Sequence, residues 1–153
     1  MFLEEELKKL GDKNIRVYLD MDGTIAHYDV GIANNYHLKR PLMNRINRIK
    51  ELMNKMNNVT FYILSIGNED IHIGQKNEWL DKYLPEIKEE NRNILIRNIN
   101  SSITSAVVKK NFINSLNTDD IIVIIDDDPR VISAIKNDNQ RKAILYKDSI
   151  LSE

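Results

Sequence analysis

Four places along this 153-residue chain carry residues that could do chemistry together. The first is Val17-Tyr18-Leu19-Asp20-Met21-Asp22-Gly23-Thr24, where an apolar run ends in two carboxylates two residues apart and Gly23 lets the backbone turn sharply. That spacing lets Asp20 and Asp22 face one point once the chain has left a strand. Two carboxylates so close repel unless a cation or a shared proton relieves them. With no Cys and only three His, the available ligands are hard oxygens, which suit Mg²⁺. The second place is Ser65, at the tip of the apolar run from Val59 to Leu64, a hydroxyl able to donate to phosphate oxygens. The third is Lys109-Lys110. Lys109 shares a helical face with Phe112, Ile113 and Leu116, and Lys110 shares one with Asn114 and Asn117, so Lys109 belongs on the core side and Lys110 in water. The fourth is Asp126-Asp127-Asp128-Pro129, behind the run Ile121 to Ile125. A carboxylate there would complete a cation site begun by Asp20, while Asp128 reads as the N-cap of a helix that Pro129 begins.

Groups so far apart in sequence need a scaffold that gathers them at one edge. The pattern supplies one. Helices are expected over 2–10, from Pro41 through an apolar set of Leu42, Met43, Ile46, Ile49, Leu52, Met53 and Met56, and over 75–84, 107–116 and 129–136. Strands are expected over 15–19, 59–64, 93–96, 121–125 and 143–146. This alternation predicts an α/β fold: a single-domain three-layer sandwich spanning 1–153, with a mostly parallel, Rossmann-like sheet and helices on both faces. Ligands of such sheets sit outside the carboxyl ends of the strands. Only 15 residues run from Ala26 to Arg40, room for a flap hairpin over about 25–40 and not for a separate cap. His27, Tyr28, Tyr36 and His37 lie in it, either as a solvated hairpin or as a lid over substrate.

Composition narrows the partners. A formal net charge of −1 gives no general attraction for nucleic acid or anionic membrane, so a nucleic-acid partner is not favoured by charge and would have to be met locally. The longest apolar run is five residues, far too short to span a bilayer. Met1-Phe2-Leu3-Glu4-Glu5-Glu6 is acidic where a secretion signal would be basic, so a cytoplasmic protein is expected.

The order Asp20-Met21-Asp22-Gly23-Thr24, Ser65, Lys109, Asp126-Asp127 resembles the haloacid-dehalogenase superfamily of phosphohydrolases, over Ile15 to about Ile135. The resemblance implies that Asp20 is the nucleophile that takes a phosphoryl group and Asp22 the general acid and base. It implies Mg²⁺ held by Asp20, the main-chain carbonyl of Asp22 and Asp127, with Asp126 behind, and phosphate contacts from Ser65, Lys109 and Thr24. Many members have Gly-Asp at the acidic pair; Asp126 stands here in the Gly position.

Two stretches point to a substrate class. Gly74-Gln75-Lys76-Asn77-Glu78-Trp79-Leu80 is similar to a segment of the deoxyribonucleotidases of that superfamily, which makes Lys76 a rival to Lys109 and implies a small phosphorylated substrate such as a nucleotide, hydrolysed by a 5′-nucleotidase. Trp79, Leu80 and Tyr83 read as core packing rather than a base-stacking platform. Val107-Val108-Lys109 and Ile125-Asp126-Asp127 resemble the phosphatase half of polynucleotide kinase–phosphatases, which implies a polynucleotide-end phosphatase instead. A receiver-like, phosphate-responsive signalling module is the reading of another class. Receivers carry an adjacent acidic pair after the first strand, whereas this chain has Asp-x-Asp there, which favours the enzyme.

Overall fold

Segments rich in Ile, Val and Leu form five strands, and all four pairings between them are parallel. The computed structural model describes residues 2–28, 35–138 and 140–145. In chain order the elements are α1 (Phe2–Lys8), β1 (Ile15–Leu19), α2 (Met43–Lys55), β2 (Val59–Gly67), α3 (Asp70–Tyr83), β3 (Arg92–Ile96), α4 (Ser105–Ser115), β4 (Ile121–Asp126), α5 (Pro129–Ala134) and β5 (Arg141–Leu145). The sheet order is β3-β2-β1-β4-β5. The chain thus builds outward from β1 on one side and then returns to lay β4 on the other. Reversal of direction beside β1 opens a crevice at the carboxyl ends of β1 and β4, the place where such sheets bind ligands.

Strand alternation sorts the apolar side chains into two cores. Ile15, Val17 and Leu19 of β1, Phe61 and Ile63 of β2, and Val123 and Ile125 of β4 face one layer, where they meet Leu7 of α1, Ile46, Ile49 and Leu52 of α2, and Trp79 and Leu80 of α3. Tyr18, Leu64, Ile122 and Ile124 face the other, against Ile113 of α4 and Ile135 just beyond α5. Each fully buried Ile or Leu contributes about 1.5–3 kcal/mol over an exposed one, so every central strand is held from both sides. Helices therefore cover both faces. No helix among the described residues is long and apolar enough to cross a membrane.

Several boundaries differ from the expectation. β2 runs three residues past Leu64, because β3 continues the ladder through Ser65↔Ile94 to Gly67↔Ile96. Ser65 is therefore inside the strand and not at its tip. Pro41 does not open α2; it bridges Ala26, and the helix starts at Met43. α3 begins five residues ahead of Gln75, where Glu69 and His72 form a reciprocal cap that the apolar pattern does not reveal. α5 stops at Ala134. β5 is two residues earlier at its start than expected, and Tyr146 lies outside the described residues.

Candidate active site

Register brings two of the acidic groups together. β1 and β4 pair through Leu19↔Ile125, and the next residues along each chain are Asp20 and Asp126. The Asp20 amide donates to Ile125 O at 3.0 Å, carrying the pairing one step further. Both residues have even parity, so they face the α4 layer. There the Lys109 Nζ donates to Asp20 Oδ1 at 2.9 Å and to Asp126 Oδ2 at 2.6 Å. Thr104 caps α4 through Val107 N, and fully buried Ile113 anchors the helix one turn beyond Lys109. Burial works against the ammonium, yet the two carboxylates outweigh it and hold its pKa above the ordinary lysine value. Lys110 is exposed, as its polar neighbours predicted.

Asp126 is spoken for. Its second oxygen accepts from Asp128 N at 2.9 Å, and it is 2% exposed. Burial and the Asp20 charge, partly offset by Lys109, push its pKa up to about 6. Asp127 is pushed up to about 7, by burial and then by Asp20. Its carboxyl lies against Gly23, where a Cβ would overlap it; Gly23 also has φ of +81°, which L side chains rarely adopt. Asp20, Asp126 and Asp127 bring one oxygen each within 4.8 Å of one another. Three carboxylates face one ammonium, so their mutual repulsion is only partly relieved. A divalent, oxygen-preferring cation fits this donor set. The Asp128 side chain caps α5, accepting from Arg130 N at 2.9 Å, and the residue also borders the site pocket.

On the other side of the crevice parity reverses. Ser65 is odd, faces the α3 layer, and its hydroxyl accepts from Lys76 Nζ at 2.6 Å. Lys76 also donates to Ile66 O at 2.7 Å, and its Nζ is 3.7 Å from Asp22 Oδ2. Lys76 and Lys109 thus come from opposite layers, Lys109 to Asp20 and Lys76 toward Asp22, and of the two only Lys109 lines the site pocket. Burial lowers the pKa of Lys76, with Asp22 opposing it. The interval that placed Lys109 also fits Lys76, which shares a face with Trp79, Leu80 and Tyr83; these pack into the core. Lys39 is a residue that no motif marked. It is buried, donates to Asp22 Oδ1, and its carbonyl accepts from Trp79 Nε1 at 2.9 Å.

Asp20, Asp22, Ser65, Lys109, Asp126 and Asp127 all line one pocket of about 150 Å³, with Tyr28 at its wall. Thr24 does not. It is fully buried, its hydroxyl finds no hydrogen-bond partner among the described residues, and its carbonyl accepts from Arg45. Its side chain therefore presents no group to the pocket in this structure. The flap begins as an antiparallel pair, with Ala26 bridging Pro41 and His27 N donating to Arg40 O. Its residues 29–34 lie outside those described. Tyr28 is 71% exposed while Tyr36 is buried, so neither the solvated nor the lid-like reading covers the whole segment.

The sequence matches no family model, and no curated protein matches it. Solved structures do match. A chain of the Pnkp1/Rnl/Hen1 complex superposes with a TM-score of 0.65 at 17% identity, over 89% of this chain and 47% of that one. A structure of the Pnkp1/Rnl/Hen1 RNA repair complex gives 0.61 at 18%, over 89% and 43%. This chain thus spans less than half the length of those two. The HAD domain of the effector protein Lem4 from Legionella pneumophila gives 0.52 at 18%, over 90% of this chain and 88% of that domain. By the parallel sheet, its strand order and these likenesses, the chain has the haloacid-dehalogenase (HAD) fold.

Proposed function

We propose that this protein is a phosphomonoesterase that transfers a phosphoryl group to Asp20 and then to water. The observation that carries this reading is the placement of Asp20, clamped by Lys109 on one side and followed by Asp22 on the pocket wall. In the first step an Asp20 oxygen attacks phosphorus, the bond to the leaving oxygen breaks, and Asp22 gives that oxygen its proton. In the second, water attacks phosphorus, Asp22 takes a proton from it, and the Asp20 carboxylate leaves with inorganic phosphate released. Lys109 holds the Asp20 side chain in one orientation and offsets charge on the transferring group. Asp20, Asp127 and the Asp22 carbonyl would hold Mg²⁺, with Asp126 behind them, and the bound ion would neutralise phosphoryl oxygens.

The pocket is smaller than the roughly 300–1,000 Å³ of sites that enclose a whole small molecule, so it receives a phosphate and leaves the remainder of the substrate outside. A nucleotide fits that requirement, and the likeness at Lys76 to Leu80 supports a 5′-nucleotidase. The open mouth also admits a phosphorylated strand end, the second reading. A panel of p-nitrophenyl phosphate, nucleoside 5′- and 3′-monophosphates, sugar phosphates and phosphorylated oligonucleotides tests both. Mg²⁺-dependent phosphate release, lost in EDTA, is expected; no release from any member overturns the proposal.

The two acidic neighbours should separate in a metal titration. Asp127→Ala is expected to raise the Mg²⁺ concentration for half-maximal activity beyond the 10- to 100-fold typical of residues behind the ligands. Asp126→Asn should shift it less and lower the Tm more, since Asp126 is the buried partner of Lys109. An equal or reversed order of the metal shifts would mean that the ligand is Asp126.

A further inference from the structure

Asp22 is held by a residue that the flap brings in. Lys39 is 6% exposed, and its Nζ donates to Asp22 Oδ1. Among the described residues Asp22 is the only carboxylate within ion-pair reach of it. The other oxygen, Oδ2, lies 3.7 Å from the Lys76 ammonium, too far for a hydrogen bond, because Lys76 is committed to the Ser65 hydroxyl and Ile66 O. The core fixes where Lys39 stands. Its carbonyl accepts from Trp79 Nε1 at 2.9 Å, and its amide donates to Tyr36 O at 3.0 Å. The Tyr36 amide in turn donates to Gln75 Oε1 at 3.3 Å, and the Tyr36 ring meets that of Trp79 edge-on. None of these ties uses the Lys39 side chain, so they hold its backbone whatever the residue is. A largely buried ion pair is a poor source of stability, since apolar groups of the same volume often do as well or better. The reason for an ammonium here therefore lies at Asp22 itself. A carboxyl free to rotate could turn either oxygen, or neither, toward the leaving group; a hydrogen bond on Oδ1 selects one arrangement.

We infer that Lys39 is a positioning residue for Asp22: by holding Oδ1 it leaves Oδ2 to pass the proton to the leaving oxygen. Its contribution then grows with how much the leaving group needs that proton. The inference rests on the phosphatase reading, in which Asp22 is the general acid. Lys39 itself transfers nothing and touches neither phosphorus nor the leaving oxygen.

The leaving group separates positioning of an acid from support of the fold. p-Nitrophenolate departs without a proton, whereas an alkoxide needs one. With saturating Mg²⁺, kcat/KM of the full chain is measured on p-nitrophenyl phosphate and on the alkyl phosphate that the wild type hydrolyses best. Lys39→Met is expected to lower the alkyl value about 10- to 100-fold, part of the roughly 10²–10⁴-fold that a general acid supplies, and the aryl value by less than about threefold. Lys39→Arg, which keeps a charged donor, should retain most of the alkyl activity. Should Lys39→Met not fold, Lys39→Gln, uncharged and one bond shorter, reads the same ratio. An equal loss on both esters, or a loss on neither, overturns the inference. Asp22→Asn, run beside these variants, separates the possible failures. Selectivity in Asp22→Asn without selectivity in the Lys39 variant sinks the positioning role alone. No hydrolysis by the wild type, or no selectivity in Asp22→Asn, sinks the phosphatase reading of Asp22 and the positioning role with it.

Discussion

Asp20→Asn is expected to abolish phosphate release, lowering turnover by about four orders of magnitude or more, as loss of a covalent nucleophile does elsewhere. The fold should survive. The Asn side chain keeps an oxygen that can accept from Lys109, and the Asp20 amide bond to Ile125 O does not involve the side chain. The change also removes one of three crowded negative charges, so the metal-free protein should melt at a temperature close to or above that of the wild type. Two measurements check this: steady-state hydrolysis of the best substrate in the panel, and a thermal melt in EDTA. Mass spectrometry after rapid acid quench should show a phosphorylated Asp20 peptide only in the wild type. Substantial turnover by a folded Asp20→Asn protein would end the covalent mechanism.

Lys109→Met should be the most damaging change outside the carboxylates, because it strikes both activity and stability. Methionine keeps the length and apolar stem of lysine and removes only the charge. Turnover is expected to fall by about a hundred- to a thousandfold, the usual effect of losing one electrostatic stabiliser of a transition state. Asp20 and Asp126 are then left facing each other without their shared cation, and breaking a buried pair this way costs about 3–5 kcal/mol. Mg²⁺ should restore part of that loss, so the fall in Tm against wild type should be larger in EDTA than in Mg²⁺. Lys110→Ala, on the exposed face of the same helix, should change neither quantity appreciably. If Lys109→Met turns over normally, the bridge is a structural tie and nothing more.

Much of this site could be read from the sequence because each motif sits where strand pattern and helix period agree. Ile15 to Leu19 matches β1 residue for residue, and the 3-4-7 spacing around Lys109 correctly sends its amine inward. What escaped has a common cause. Whether Lys76 and Lys109 compete or cooperate depends on which face of the sheet Ser65 and Asp20 present, and that depends on where β2 ends. The apolar run stops at Leu64, but the ladder with β3 carries the strand on to Gly67 and fixes the parity of Ser65. Lys39 escaped more completely. Its neighbours have no helical or strand period, and its burial comes from contacts with Tyr36 and Trp79 that are distant in the pattern though close in space. The burial of the Thr24 side chain is equally invisible in the pattern: its place in the motif says nothing of which way the side chain turns, and it is fully buried.

The contact between Gly23 and Asp127 limits how this protein could diverge. Any side chain at 23 meets both an unfavourable φ and the carboxyl group of Asp127. Shortening residue 127 would relieve the collision, but it would leave the φ penalty untouched and remove an oxygen from the acidic cluster. The two positions are thus coupled such that a second change cannot undo the first. A descendant that lost the glycine would carry a lasting handicap in its acidic cluster, and reversion at 23 itself would be the short way back.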